Sequence, residues 1–220
     1  MVFGINHEMR DFKVNRKKDL DLVLCTPSRD PDGSTLAGLV DDWKLDLNEV
    51  ERKKLKSLPT LYRAPVGAVQ IALEAKACMT EHVKALPRLY DELNSSHLTI
   101  HGAMDVAIAV GFVMVNFSKT FISPGRNKHD LSKVTPKVTN HPQPKAAERA
   151  IGKVMEISRR KGPGEDGFDA VGIVGIDCSN DNSPVTIVTA PPAPSLQDVA
   201  HYDQMIRRVV QLYETRFRTF

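Results

Sequence analysis

The chain reads as an α/β domain in which a central mixed β-sheet is flanked by helices. Three observations predict this. From residue 66 onward, apolar runs of strand length alternate with amphipathic helical segments, an order that builds a sheet covered by helices. The chain opens on two strand-like segments joined by a polar turn, so the sheet cannot be purely parallel. Its 220 residues, 41% hydrophobic and 26% charged, suit one globular domain with its own core.

Taken in order, residues 3–12 form a first strand and residues 14–18, Val-Asn-Arg-Lys-Lys, a polar turn. Residues 20–25 form a second strand, ended by Thr26 and Pro27. Residues 26–66 read as a helical insertion: a loop rich in Asp, Pro and Gly at 28–34, then short helices at 36–43 and 48–58, with Pro59 and Pro65 bounding the exit. Residues 69–77 are a small apolar strand. Thr80 is expected to open a helix with Val83, Leu86, Tyr90 and Leu93 along one face and Pro87 as a kink. Residues 104–117 form a long apolar strand in which Gly111 is a candidate bulge.

Residues 118–144 change character, with four prolines, many lysines and little periodicity, and read as a long basic loop. An amphipathic helix over 145–161 is stopped by Gly162-Pro163-Gly164. Strands follow at 170–178 and 185–190. A last helix is expected from an N-cap at Ser195, with Asp198 three residues on and an apolar stripe of Val199, Tyr202, Ile206, Val209 and Tyr213. The whole is expected to be one domain over residues 1–220.

Several classes are set aside. A net charge of +3 does not by itself imply nucleic acid, so the placement of charge matters more than its sum. Cys25, Cys78 and Cys178 are widely spaced, lie in apolar runs and form no CxxC pair, which points to free thiols rather than a zinc ribbon. The N-terminal residues lack a basic segment followed by an apolar run, and no apolar stretch reaches the ~18–20 residues of a membrane span. A cytoplasmic protein with no membrane partner is expected. No HExxH motif occurs, and Gly162 to Gly167 lacks the Gly-Lys-Ser/Thr of a phosphate loop.

The informative residues lie in the strands. Along residues 69–78 strict alternation puts Gln70, Ala72, Glu74, Lys76 and Cys78 on one face. The other face, with Val69, Ile71, Leu73, Ala75 and Ala77, is wholly apolar and is expected to be the core. An acid and a base thus project side by side from a strand expected to be buried, where charges need a partner or a metal. From this pair alone an ordinary exposed ion pair is the simpler reading. Asp21 shifts the balance, because aspartate is a poor strand former and here directly precedes Leu-Val-Leu-Cys. Asp21 brought beside Glu74 gives two carboxylates able to hold one hard cation. Asp19, on the same face, is the alternative to Asp21.

An Asp at the start of one strand, Glu74-Ala75-Lys76 on a later strand, then a helix and a further strand resembles the PD-(D/E)XK, restriction-endonuclease-like superfamily of nucleases. The proline that often precedes the Asp is replaced by Leu20, as in many members. The resemblance covers residues 3–117. It implies a restriction-endonuclease-like sheet and Mg²⁺-dependent hydrolysis of phosphodiester bonds in DNA, as by an endonuclease of restriction or phage-related type. Asp21, Glu74 and the Ala75 carbonyl would bind Mg²⁺, with Mn²⁺ able to substitute. Lys76 would orient or deprotonate the attacking water, or stabilise the transition state. Glu8 is a candidate extra acid and Gln70 a candidate lining residue.

Phosphate contacts are expected from Arg16, Lys17 and Lys18, and from Lys119, Arg126, Lys128, Lys133 and Lys137 in the basic loop, which is expected to order on nucleic acid. A homodimer is expected by analogy. The competing expectation is a catalytically inactive nucleic-acid-binding or assembly module with the same fold.

Overall fold

The computed structural model describes residues 1–128 and 134–218. In chain order the elements are β1 (Val2–Asp11), β2 (Arg16–Pro27), α1 (Leu39–Asp42), α2 (Glu49–Ser57), β3 (Val66–Cys78), α3 (His82–Ala103) and β4 (Ile108–Asn116). Then follow β5 (Thr120–Ile122), β6 (Val138–Asn140), α4 (Lys145–Met155), β7 (Ala170–Asp177), β8 (Thr186–Val188) and α5 (Tyr202–Phe217). A six-stranded sheet runs β1-β2-β3-β4-β7-β8. The first three strands form an antiparallel meander, β3, β4 and β7 are parallel, and β8 returns antiparallel. The expected mixed sheet is therefore present. Its turn falls at residues 12–15 rather than 14–18, with Asn15 at φ 51°, a conformation asparagine tolerates well.

Helices cover both faces. On one, Leu89, Leu93 and Ile100 of α3 and Ala147, Ala150 and Val154 of α4 pack on Ala72, Ala109, Val113, Val115 and Val171. On the other, Met205 and Leu212 of α5 pack on Ile108, Val110 and Ala170, with Ile71 and Leu73 at the margin. Gly172 makes the second packing possible, since a Cβ there would stand 2.5 Å from Met205 Sδ.

This layering corrects the expected core face of β3. Ala72, Glu74 and Cys78 form the deeply buried row, whereas Ile71, Leu73 and Ala75 are half-buried and Ala77 is exposed. The 22-residue α3 lies across the first row, and α5 reaches only the edge of the second. A register shift between Ile71 and Val69 adds a residue to β3 and carries Val69 into the same core as Ala72. Gly111, by contrast, is no bulge: β4 keeps continuous register with both neighbours, and the Phe168 ring packs over the glycine.

Other boundaries move for identifiable reasons. The helix after β3 starts at His82 behind Glu81 at φ 49°, while the Thr80 hydroxyl pairs with His141 Nε2 and caps nothing. It runs on through Pro87 to Ala103. Ser195 and Asp198 make successive turns, and α5 begins only at Tyr202, with His201 Nδ1 accepting from the Asp203 amide. The insertion holds α1 and α2, the latter closed by an Asn48–Glu51 capping box. Its exit strand runs beside β1, where the Phe3 amide donates to Tyr62 O and the Ala64 amide to Phe3 O, so it shields that sheet edge.

The basic segment is not structureless. β5 and β6 pair antiparallel, and their base is pinned at the carboxyl ends of β4 and β7. There His141 Nδ1 bonds Ser118 O, and buried Asn116 bonds the carbonyls of Met79 and Cys178. Cys25, Cys78 and Cys178 are free thiols, as expected. Burial pushes the Cys78 thiol up to about 11, which makes it inert at neutral pH. No helix is long and apolar enough to cross a membrane, among the described residues.

Candidate functional site

β2 and β3 pair as far as Leu22 opposite Leu73. One step further the register sets Asp21 opposite Glu74, and there the ladder stops. Beyond it β2 is held by β1 and β3 by β4. At the fork the Ala75 amide donates to Asp21 Oδ2 at 2.6 Å, so a side-chain oxygen replaces the backbone acceptor. The amide and carbonyl of one strand residue point to the same edge, so the Ala75 carbonyl also faces this gap. Alternation in β2 breaks here as well: Leu20 and Val23, three apart, both enter the core beneath α3.

Glu74 is only 1% exposed. Its Oε1 is 2.5 Å from Lys76 Nζ and 3.8 Å from Lys18 Nζ. Its Oε2 is buried with no hydrogen-bond partner. Burial raises the Glu74 pKa, and the Asp21 charge adds to this, while Lys76 and Lys18 pull it down without cancelling the rise. For Lys76 burial favours the neutral amine, but Glu74 and Glu92 outweigh it and hold the ammonium form, with the pKa raised. Glu92 lies 3.3 Å from Lys76 Nζ and accepts from Arg88 Nε at 2.5 Å. Burial opposes its ionisation, but Arg88 and Lys76 prevail and lower its pKa. The result is a charge chain Lys18–Glu74–Lys76–Glu92–Arg88 at the fork. Its outer end opens on a cavity of about 200 Å³ lined by Lys76, Cys78, Arg88 and Glu92.

A buried carboxylate oxygen without a donor costs about 1–3 kcal/mol or more, and native proteins rarely leave one so. Glu74 Oε2, the second oxygen of Asp21 and the Ala75 carbonyl are all hard oxygen donors, the set that magnesium takes together with water. The residues present therefore fit a divalent cation. Among the described residues no group of three or more His, Cys, Asp or Glu converges for a metal. A cation here would rest on two carboxylates, one carbonyl and water.

The other expected residues are dispersed. Glu8 pairs with Lys17 at 3.0 Å on the surface, opposite exposed Asp19 on the neighbouring strand. Gln70 lies four residues back along β3, about 13 Å from Glu74 at strand rise. Lys18 faces Glu74, which ties it to the carboxylates. Arg16 is half-buried. Lys119, Arg126, Lys128 and Lys137 are exposed around the β5–β6 ribbon, with Arg126 donating to Thr139 Oγ1. Lys133 lies outside the described residues. Glu92 is not among the residues that the strand pattern singles out. Its signals are the i,i+4 pairing with Arg88 and its place beside Leu89, Leu93 and Ser96 on the sheet-facing side of α3.

If the ribbon contacts phosphates, the double variant Lys128→Ala/Lys137→Ala will weaken nucleic-acid binding. It will also flatten the slope of log K against log salt, by about 0.9 for each phosphate of duplex DNA that is no longer neutralised. Filter binding across a salt series reads this, and an unchanged slope assigns the ribbon elsewhere.

Comparison with family models, with curated proteins and with solved structures gave no match to this chain.

Proposed function

We propose that the chain is a metal-dependent phosphodiesterase that cleaves DNA, an endonuclease resembling those of the restriction-endonuclease-like superfamily, with Asp21, Glu74 and Lys76 at its centre. The observation that carries the reading is the fork. Two carboxylates stand opposite each other where β2 and β3 part, one of them buried with an unpartnered oxygen, and a lysine ammonium lies 2.5 Å away.

Asp21 and Glu74, with the Ala75 carbonyl, would hold Mg²⁺ or Mn²⁺. Bound there, the cation would polarise the scissile phosphate and stabilise charge on its oxygens. Lys76 is held as an ammonium, so it acts by placing positive charge beside the phosphate rather than by taking a proton from water. Glu92 positions Lys76 from α3, and Arg88 in turn holds Glu92. Asp21 keeps one oxygen on the Ala75 amide, which fixes its carboxylate at the fork.

Plasmid and linear DNA incubated with Mg²⁺, Mn²⁺ or EDTA test the reading. Cleavage of both forms with either ion and none with EDTA is expected. A clean preparation that cuts neither DNA nor RNA with either ion would leave the inactive-module alternative.

A further inference from the structure

A second polar cleft lies away from the fork, on the side of the sheet that α5 covers. It occupies about 520 Å³ between the Arg159–Arg160 segment, the start of β7 and α5. That volume is within the ~300–1,000 Å³ usual for small-ligand sites. Gln204, Arg207, Arg208 and Gln211 line it from α5. Their i, i+3, i+4, i+7 spacing is one helical face, beside the Met205 and Leu212 stripe that packs on the sheet. Arg159 stands across from them, half-buried, and its guanidinium reaches only Met155 Sδ at 3.4 Å. Asp198, exposed, is an opposite charge that acts on it without pairing.

Two further arginines near the cleft are already used. Arg160 donates to Asp169, Asp105 and the carbonyls of Asp105 and Ala107, and Arg216 donates to Asp169. Among the described residues Arg159, Arg207 and Arg208 have no carboxylate within ion-pair distance. β8 pairs with β7 only from Gly175 onward, and before that the chain bonds this edge only at Phe168 and Ile173, which leaves the stretch at Val171 between them. Alternation turns the Val171 amide to the same side as the Ile173 amide, which donates to Ala200 O. Three guanidiniums without a carboxylate partner and the glutamine side chains line the cleft beside an apolar wall of Val199 and Met205, and the one carboxylate in the lining, Asp169, is already paired with Arg160 and Arg216.

We infer that this cleft binds a phosphate-bearing ligand, with Arg159, Arg207 and Arg208 meeting the phosphate oxygens. Arginine forks match phosphate geometry and pair with it bidentately. The glutamines and the apolar wall take the group that carries the phosphate. That group is either a free nucleoside or the end of a nucleic-acid strand, since both present the same anion. The site does not depend on the nuclease reading, because it lies on the other face of the sheet and uses none of the fork residues.

The test is calorimetric titration of the full chain in EDTA, so that no divalent-metal chemistry intervenes. The ligands are pyrophosphate, ATP, and one oligonucleotide in 5′-phosphorylated and 5′-hydroxyl forms, with poly-glutamate as a plain polyanion. Pyrophosphate or ATP, or the 5′-phosphorylated strand in preference to its 5′-hydroxyl form, should bind. The charge-reversal variant Arg207→Glu/Arg208→Glu should lose at least tenfold in affinity. Both residues are exposed, so the fold should survive, which circular dichroism checks. Arg159→Gln should weaken binding as well. Tighter binding of ATP than of the phosphorylated strand makes the source a nucleotide, and the reverse makes it a strand end. The inference is overturned if no phosphate ligand binds, if the charge-reversal variant binds pyrophosphate and ATP as the wild type does, or if poly-glutamate binds as tightly as they do.

Discussion

Glu74→Gln is expected to abolish DNA cleavage while leaving the thermal midpoint unchanged or higher. The two outcomes share one cause. Glu74 is buried and its pKa is raised, so its charge at neutral pH is held against the preference of its surroundings. Removing that charge relieves the fold, as commonly happens at sites built for chemistry. It also removes the ligand on which the cation rests. Without metal, DNA binding should be retained or slightly tighter, because a negative charge facing phosphate is gone. Lys76→Ala should cost roughly 10²–10³-fold in cleavage, the usual loss when one electrostatic donor to the reacting oxygens is removed. It should leave metal binding in place, because Asp21 and Glu74 remain.

Metal binding has its own readout. Mg²⁺ that binds only the folded state raises the wild-type midpoint in proportion to log concentration once the site is saturated. Glu74→Gln should lose that rise, and Lys76→Ala should keep it. The inactive-module alternative predicts no cleavage by the wild type and no Mg²⁺-dependent rise in any variant. Cleavage at the wild-type rate by Glu74→Gln would remove this carboxylate from the mechanism altogether.

The local pattern carries most of the fold. Two apolar runs joined by Val14 to Lys18 have to form a hairpin, and a helical period between the runs of β3 and β4 has to cross over and set them parallel. The opposition of Asp21 and Glu74 is legible because both carboxylates interrupt apolar strands at a cost that asks for a reason. Alternation cannot say which face of β3 a helix will cover. The wholly apolar row has the composition of a core, yet α3 lies on the row that holds Glu74. Glu92 and Lys18 reach the fork only through the docking of α3 and the pairing of β2, so the local pattern pairs Glu92 with Arg88 without showing that it meets Lys76. β5 and β6 are three residues each, too short to show a period, so a paired ribbon reads as loop. Ser195 resembles an N-cap because local side-chain chemistry favours turns as well as helix starts.

Asp169→Ala should be among the most destabilising single changes in this chain, at about 3–5 kcal/mol, the usual cost of breaking a buried pair from one side. For a chain of this size that lowers the midpoint by roughly 6–20 °C. The Asp169 side chain is fully buried and accepts from Arg160 Nε at 3.0 Å, Arg216 at 2.6 Å and the Ala109 amide at 2.8 Å. Burial alone would raise its pKa, but Arg216, Arg160 and the amide outweigh that and lower it. Its contribution is therefore present above the ordinary aspartate value of about 3.9 and is lost as pH falls through the lower folded value. Two buried histidines, His82 and His97, and the half-buried His101 act earlier. Burial lowers the pKa of His82, of His101, and of His97, the last to about 4. The unfolded chain takes up these protons near 6.5 and the folded chain resists them, so stability should begin to fall below about pH 6.5. Asp169→Asn should flatten the pH dependence below about 4, whereas His97→Gln should flatten the segment from 6.5 to 4. Urea midpoints from pH 3 to 8 separate the two. As a control, Glu8→Ala breaks only an exposed pair with Lys17 and should cost no more than about 1 kcal/mol. A loss at Asp169 no larger than that control would mean that this network does not hold the amino ends of β4 and β7 together.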